Sequence, residues 1–238
     1  LKDSFKVAVL SRGYKRKSKG FVLANEHTSA NFIGDEPMQY HLKFKSVNVA
    51  VDNDRAHGIN QLKKLKVKPD VVLLDDAYQH RKVKAKINIL LTSYNDLYVD
   101  DYMLPTGNLR ELASNAKRAT HIIVTKCPKD LSEEAQQEIR LKLNPNPHQK
   151  LYFSTIVYRD EVMNNTEKIT LKDLQNYKVV LVTGIANPKP LQTFLTENNI
   201  DFTGLKYKDH HDFTEKDKVI INKKLQDLNT ENTLILTT

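Results

Sequence analysis

Short apolar runs punctuate the first two thirds of the chain: FKVAVL (5–10), VNVAV (47–51), DVVLLDD (70–76), INILL (87–91) and HIIVTK (121–126). Their apolar positions are nearly continuous rather than alternating, the pattern of strands buried on both faces of a parallel sheet. Between them, NDRAHGINQLKKLK (53–66) and LSEEAQQEIRLKL (131–143) space their apolar residues as amphipathic helices do. Strand and helix in repetition predict a doubly wound, mostly parallel α/β domain.

The pattern breaks at NPNPHQK (144–150), with two prolines and no apolar period. LYFSTIVYRDEV (151–162) then reads as one long strand leaving the first domain. A second, smaller α/β unit follows: strand KVVLVTG, helix PLQTFLTENN, strand FTGLKY, helix TEKDKVIINKKLQDL and strand TLILTT. The expected division is 1–150 and 151–238.

Composition narrows the class. With 238 residues, 39% hydrophobic and 28% charged, the chain can bury a real core. No stretch approaches the roughly 20 apolar residues of a membrane span, and no secretory signal opens the chain. A single cysteine, Cys127 at the end of HIIVTK, excludes a disulfide framework and reads as a buried structural thiol. The formal net charge of +8 favours anionic partners such as nucleotides, phospholipid head groups or nucleic acid. The surplus clusters in KRKSK (15–19), after a strand, and in LKKLKVK (62–68), read as the solvated face of a helix.

Five segments could do chemistry. LLDDAYQH (73–80) puts Asp75 and Asp76 at the carboxyl end of a buried strand, where open α/β sheets bind ligands and nucleotide enzymes hold Mg²⁺. The plainer reading is a strand-to-loop turn, which Asp favours anyway. GDEP (34–37) opens a helix with Asp35 and Glu36 in its first turn, either as dipole-stabilised caps or with Asp35 as base for an attacking hydroxyl. SRGYKRK (11–17) gathers Arg12, Lys15, Arg16 and Lys17 about Gly13 and Tyr14, an exposed basic loop or a phosphate grip. LPTGNLRE (104–111) sets a Pro–Gly turn beside Arg110 and Glu111, and KDHHDF (208–213) sets His210 and His211 between aspartates, the composition of a proton shuttle.

Taken in order, SRGY, GDEP, Val51-x-x-x-Arg55, DDxxQH, LPxGxLRE, GIxNP (184–188) and DHH (209–211) resemble the tetraacyldisaccharide 4'-kinase family, the lipid A 4'-kinases of Gram-negative bacteria. The resemblance runs from about residue 6 to the end, and the Lys- and Asn-rich composition with TKCP (125–128) is similar to members from the Bacteroidetes. It implies a P-loop-kinase-like fold and transfer of the ATP γ-phosphate to the 4'-hydroxyl of a tetraacylated glucosamine disaccharide 1-phosphate. The implied cofactors are ATP and Mg²⁺. The implied setting is a monomer at the cytoplasmic face of the bacterial inner membrane, without nucleic acid.

What the resemblance implies for residues follows its motifs. Asp35 pairs with His210 to activate the sugar hydroxyl, with Asp209 beside them, so the two domains would close on substrate. Asp75 and Asp76 are Walker-B-like carboxylates, and Gln79 and Glu111 complete the magnesium and phosphate surroundings. Arg55 and Arg110 position phosphates, and Arg12, Tyr14 and Glu36 lie towards the lipid substrate. Two departures stand out. Ala77 occupies the place of a usual glycine; an alanine held at a positive φ would be strained, so a slightly different local backbone is expected there. The family's GGxGKT phosphate loop and membrane-anchoring helix are not in residues 1–238, and LILTT (234–238) resembles a family strand cut short. The expectation is a fragment that alone transfers no phosphate, since that loop would hold the β- and γ-phosphates.

Two other readings fit the sequence less well. A basic nucleic-acid-binding module lacks interleaved aromatics and any RRM, KH or helix-turn-helix signature. A P-loop GTPase or dethiobiotin-synthetase-like enzyme would share just the nucleotide half, and N-K-x-D is missing from the chain.

Overall fold

The computed structural model describes residues 1–164, 166–228 and 232–238. They form two compact units, Leu1–Ile156 and Val157–Thr238.

The first unit begins with strands β1 (Val7–Ser11) and β2 (Val22–Leu23), helices α1 (Ala30–Ile33) and α2 (Asp35–Lys43), strand β3 (Asn48–Val51), helix α3 (Arg55–Leu62) and strand β4 (Val71–Leu74). These strands order as β2-β3-β1-β4, with β1 parallel to both β3 and β4 and the short β2 antiparallel to β3. Every residue of β1 is buried, as its unbroken apolar run requires of a central parallel strand. Strands β5 (Ile89–Ser93), β6 (His121–Thr125) and β7 (Lys150–Phe153) make a second, all-parallel sheet, with helix α4 (Glu133–Leu143) between β6 and β7. Ser132 caps α4 by accepting from the Ala135 N–H, and the helix ends on Asn144 in the left-handed region. β4 and β5 are each the last strand of their sheet, and Leu73, Ile89 and Leu91 on them are exposed.

The second unit holds the hairpin β8 (Glu161–Met163) and β9 (Lys168–Thr170), helix α5 (Leu171–Leu174), and a parallel sheet ordered β11-β10-β12. Its strands are β10 (Lys178–Thr183), β11 (Phe202–Lys206) and β12 (Thr233–Thr237), connected by helices α6 (Lys189–Glu197) and α7 (Glu215–Asp227). Central β10 is buried from Val179 to Thr183. Thr214 and Asp217 close α7 with a reciprocal capping box.

The α/β class and the predominance of parallel pairing are as expected; three local expectations are corrected. The parallel strands of the first unit fall into two hydrogen-bonded sheets rather than one. LYFSTIVYRDEV is not one strand: its start extends β7, which pairs with β6, and pairing ends at Ser154, whose N–H donates to the Val124 carbonyl. LKKLKVK is not a helix face, because α3 stops at Leu62 and the following lysines lie outside any helix. Pro69 disfavours helical backbone at Lys68. No described helix is long and apolar enough to cross a membrane.

Candidate functional site

The carboxyl ends of β1, β3 and β4 point one way, as parallel register dictates, and deliver Ser11, Asp52 and Asp75 to one edge. The Asp75 N–H still donates to the Leu10 carbonyl at 3.1 Å, so Asp75 extends the ladder by one step. The next residue, Asp76, turns the chain through a left-handed conformation at φ 41. Ala77 is not among the positive-φ residues; Asp76 makes the turn instead, so the alanine is unstrained, in keeping with the altered local backbone expected there.

Arg55 opens α3 and is 2% exposed. Its Nη1 donates to the Asp52 carbonyl at 2.6 Å and its Nη2 to the Asp75 carbonyl at 3.3 Å, so one guanidinium ties β3 to β4. Burial, then the neighbouring Arg12, push the Arg55 pKa below its ordinary value, against the pull of Asp75, Asp76 and Asp52. Two buried polar atoms at this edge have no hydrogen-bond partner: Arg55 Nε and Asp75 Oδ2. Buried Asp52 faces His57 Nδ1 at 2.7 Å through Oδ2 and accepts the Asp54 N–H at 3.0 Å.

Arg110 arrives from a loop 34 positions downstream of Asp76 and meets it fork to fork, Nη1 to Oδ2 at 3.0 Å and Nη2 to Oδ1 at 2.6 Å. That hydrogen bonding, aided by Arg55 and Arg12, holds the Asp76 carboxyl below the usual carboxylate range. Arg12 is exposed. Arg16, by contrast, folds back on its own loop and donates to Ser18 Oγ and the Gly20 carbonyl. Gly13 is at φ 69, and a Cβ there would lie 2.5 Å from the Ile33 carbonyl, so the SRGY turn requires glycine.

Asp35 and Glu36 are the first two residues of α2, as expected of GDEP. Asp35 also borders a shallow, mostly apolar depression with Ala30, Met38, Gln39, Leu42 and Lys43. One turn along the same helix, burial and the Asp75 and Glu36 carboxylates push the Tyr40 phenol up. Tyr40 therefore links α2 to the end of β4. Tyr14 is exposed, with Lys15 Nζ 5.4 Å from its ring centre, and Gln79 is exposed in the turn after Asp76.

Glu111 lies next to Arg110 in sequence, and Arg118 and Asn115 hold its carboxylate. Arg118 Nη2 donates to both of its carboxylate oxygens at 2.6 Å, and Asn115 Nδ2 to Oε2 at 3.0 Å. Sequence reasoning passed over Tyr40, Asp52, Tyr78 and Arg118. Asp52 could have been found from its place three residues before Arg55; Arg118 lies in ASNAKRAT, which has no motif.

In the second unit, Asp209 and His210 follow β11. His210 is left-handed at φ 53, and its N–H donates to the Gly184 carbonyl at 3.1 Å. His210 Nε2 is 4.0 Å from Asp209 Oδ2. His211 stacks on Tyr207 at 4.8 Å between ring centres, and its Nε2 lies 3.1 Å from Asp217 Oδ2. Hydrogen bonds from Thr214, then His211, lower the Asp217 pKa to about 2.

Among the described residues no three His, Cys, Asp or Glu side chains are grouped to hold a metal ion on their own. The Asp75 and Asp76 edge does fit a hard divalent ion that keeps water and shares phosphate oxygens, because Asp75 Oδ2 is a buried oxygen with a free lone pair.

The model of one protein family, LpxK, tetraacyldisaccharide-1-P 4'-kinase, matches residues 1–238. A tetraacyldisaccharide 4'-kinase of Flavobacterium johnsoniae is 53% identical over 94% of this chain and 65% of its own length. Namesakes from Flavobacterium psychrophilum and Bacteroides thetaiotaomicron are 46% and 44% identical over the whole chain and cover 68% and 66% of their own lengths. The chain thus spans about two thirds of the curated relatives it matches. A crystal structure of LpxK from Aquifex aeolicus in complex with ATP superposes with a TM-score of 0.71 at 27% identity, over 99% of this chain and 69% of that one.

Proposed function

Because the chain belongs to the tetraacyldisaccharide-1-P 4'-kinase family, we propose that the protein transfers the γ-phosphate of ATP to the 4'-hydroxyl of a tetraacylated glucosamine disaccharide 1-phosphate. The single observation that supports this most is the edge formed by β1, β3 and β4. Buried Arg55, the carboxylates Asp75 and Asp76, and Arg110 converge there with Arg12 close by.

Phosphoryl transfer asks the protein chiefly for positioning and charge neutralisation. Asp75 and Asp76 would hold Mg²⁺, with Gln79 and Glu111 in its wider surroundings. The ion, when bound, neutralises phosphate charge. Arg110 already has its fork aligned on Asp76, and exchanging one carboxylate oxygen for a phosphate oxygen keeps its donors occupied. Arg55 is too enclosed to move and sets the electrostatic floor of the edge. Asp35, at the start of α2, accepts the proton of the attacking hydroxyl, and His210, beside Asp209, is the proton-handling residue of the second unit. Arg12, Tyr14 and Glu36 face the sugar phosphate. The lipid substrate puts the work at the cytoplasmic face of the inner membrane, by a monomer.

The test is incubation of the protein at its natural full length with γ-labelled ATP, Mg²⁺ and the tetraacylated disaccharide 1-phosphate. Label in a bisphosphorylated lipid, lost when Mg²⁺ is chelated, is the expected result. Label that stays in nucleotide or free phosphate overturns the reading.

A further inference from the structure

Arg110 reaches Asp76 on a long, flexible side chain that is half exposed. Such a pair is ordinarily loose, because holding it costs side-chain entropy in high dielectric. Here the loop that bears Arg110 is fixed on both sides.

Upstream, residues 101–109 bond to themselves. The Asp101 carboxylate accepts the N–H groups of Tyr102 and Asn108, the Leu109 N–H donates to the Tyr102 carbonyl, and the Leu104 N–H donates to the Leu109 carbonyl. Gly107 completes this knot: a Cβ there would stand 2.2 Å from Asp101 Oδ1 and 2.4 Å from the Tyr102 carbonyl.

Downstream, one guanidinium does several jobs. Arg118 Nη2 grips both oxygens of Glu111 at 2.6 Å, in the residue next to Arg110. Its Nη1 donates to the Tyr78 carbonyl at 3.0 Å, two residues after Asp76. Its Cζ lies over the Tyr78 ring, 4.5 Å from the ring centre. The Tyr78 hydroxyl closes the circuit by donating to the Asn115 carbonyl at 2.9 Å, and Asn115 donates to Glu111. Arg118 itself is anchored: Ala119 is fully buried, and β6 begins two residues later. The same cation therefore holds the segment of Asp76 and the loop of Arg110.

We propose that Arg118 is the positioning residue of this site, setting the register between the Asp76 segment and the Arg110 loop through Glu111 and Tyr78. Glu111 acts here as a buckle to Arg118. The catalytic half of this inference rests on the kinase reading above; the structural half does not.

The experiment uses the protein at natural full length with Arg118→Ala, Arg118→Lys, Arg110→Ala and the Arg118→Ala/Arg110→Ala pair. Arg118→Ala is expected to lower kcat by roughly 30- to 100-fold, with the KM for lipid unchanged. Arg118→Lys should recover less than about threefold, since an ammonium cannot serve the fork, the carbonyl and the ring together. Because Arg118 works through Arg110, the double variant should fall within about threefold of Arg110→Ala alone. A double variant at the product of the two single losses, or wild-type kcat in Arg118→Ala, overturns the proposal. Deuterium exchange supplies a readout independent of activity: amides of residues 101–112 should exchange at least ~10-fold faster in Arg118→Ala while β1 and β6 stay protected. Unchanged exchange there overturns the structural half, even if wild type phosphorylates no lipid and the kinase reading alone fails. Should Arg118→Ala not fold, Tyr78→Phe removes just the hydroxyl bonds to the Asn115 and Ala116 carbonyls and should speed the same exchange by about 3-fold or more; no change in it counts against the proposal equally.

Discussion

Arg110 and Asp76 form a two-point ion pair, Nη1 to Oδ2 at 3.0 Å and Nη2 to Oδ1 at 2.6 Å, at the lip of a parallel sheet. A planar fork on a planar carboxylate fixes orientation as well as charge. Replacing Arg110 by Lys keeps the charge and loses the fork, so kcat/KM for ATP should fall at least ~10-fold, about 1.4 kcal/mol in the barrier. Steady-state kinetics check this. The pH dependence has a definite sign. Arg110 depresses the Asp76 pKa, so Arg110→Ala lets it rise towards the ordinary carboxylate value. The acid limb of the rate profile should therefore move to higher pH; a limb that stays put would mean that Asp76 is not the group titrating there.

Arg55 is a different case, being buried and bonded to the carbonyls ending β3 and β4. Arg55→Met leaves both carbonyls short of a donor. It is expected to cost about 2–4 kcal/mol of stability, from two lost charge-assisted bonds and partial refilling of the space. Denaturant unfolding reads this directly.

The backbone at Ala77 decides what a glycine would do there. A strained alanine would be relieved by Ala77→Gly. Since Asp76 holds the positive φ, the substitution should instead be neutral or destabilising by less than about 1 kcal/mol. A clear rise in melting temperature would contradict this.

His210 occupies the left-handed region at φ 53, which Asn tolerates and β-branched residues do not. His210→Asn should leave thermal stability within about 0.5 kcal/mol and lower kcat by more than ~100-fold, as loss of a proton-handling group does. His210→Val should lose stability as well. Equal kcat for His210→Asn and wild type would remove His210 from the reaction.

Asp217 ties the first turn of α7 to His211, and its pKa is lowered to about 2. A depressed carboxyl stabilises the fold above its unfolded pKa and loses that contribution as pH falls through the folded value. Protection of the first turn of α7 should thus be constant near neutral pH and decline between about pH 4 and pH 2. In Asp217→Asn it should be lower at neutral pH and flat across that window, as hydrogen exchange would record.

The sequence made some of this visible and hid the rest for physical reasons. The central strands were legible because β1 and β10 are buried on both faces, which forces continuous apolar runs. Two-residue β2 and three-residue β8 and β9 are too short to leave a period. Asp75, Asp76 and Arg110 could be read from motifs, and the family resemblance built on those motifs is borne out by the match over residues 1–238. Arg118 could not be read. Its partners are a backbone carbonyl, an aromatic face and a carboxylate seven residues earlier, and none of these constrains the residue types around it. The Asp75 carboxylate likewise acts on Tyr40 across the fold, on a helix whose visible signal was its first turn.

The strands VVLL of β4 and ILLTS of β5 end their sheets without a lysine, a proline or a bulge to discourage visitors. Backbone donors and acceptors along them can recruit any extended peptide, and Leu73, Ile89 and Leu91 supply the grease. Residues 1–238 in isolation should therefore self-associate as concentration rises, by strand addition rather than by random clumping, and a charge introduced at Leu91 should keep the solution clear.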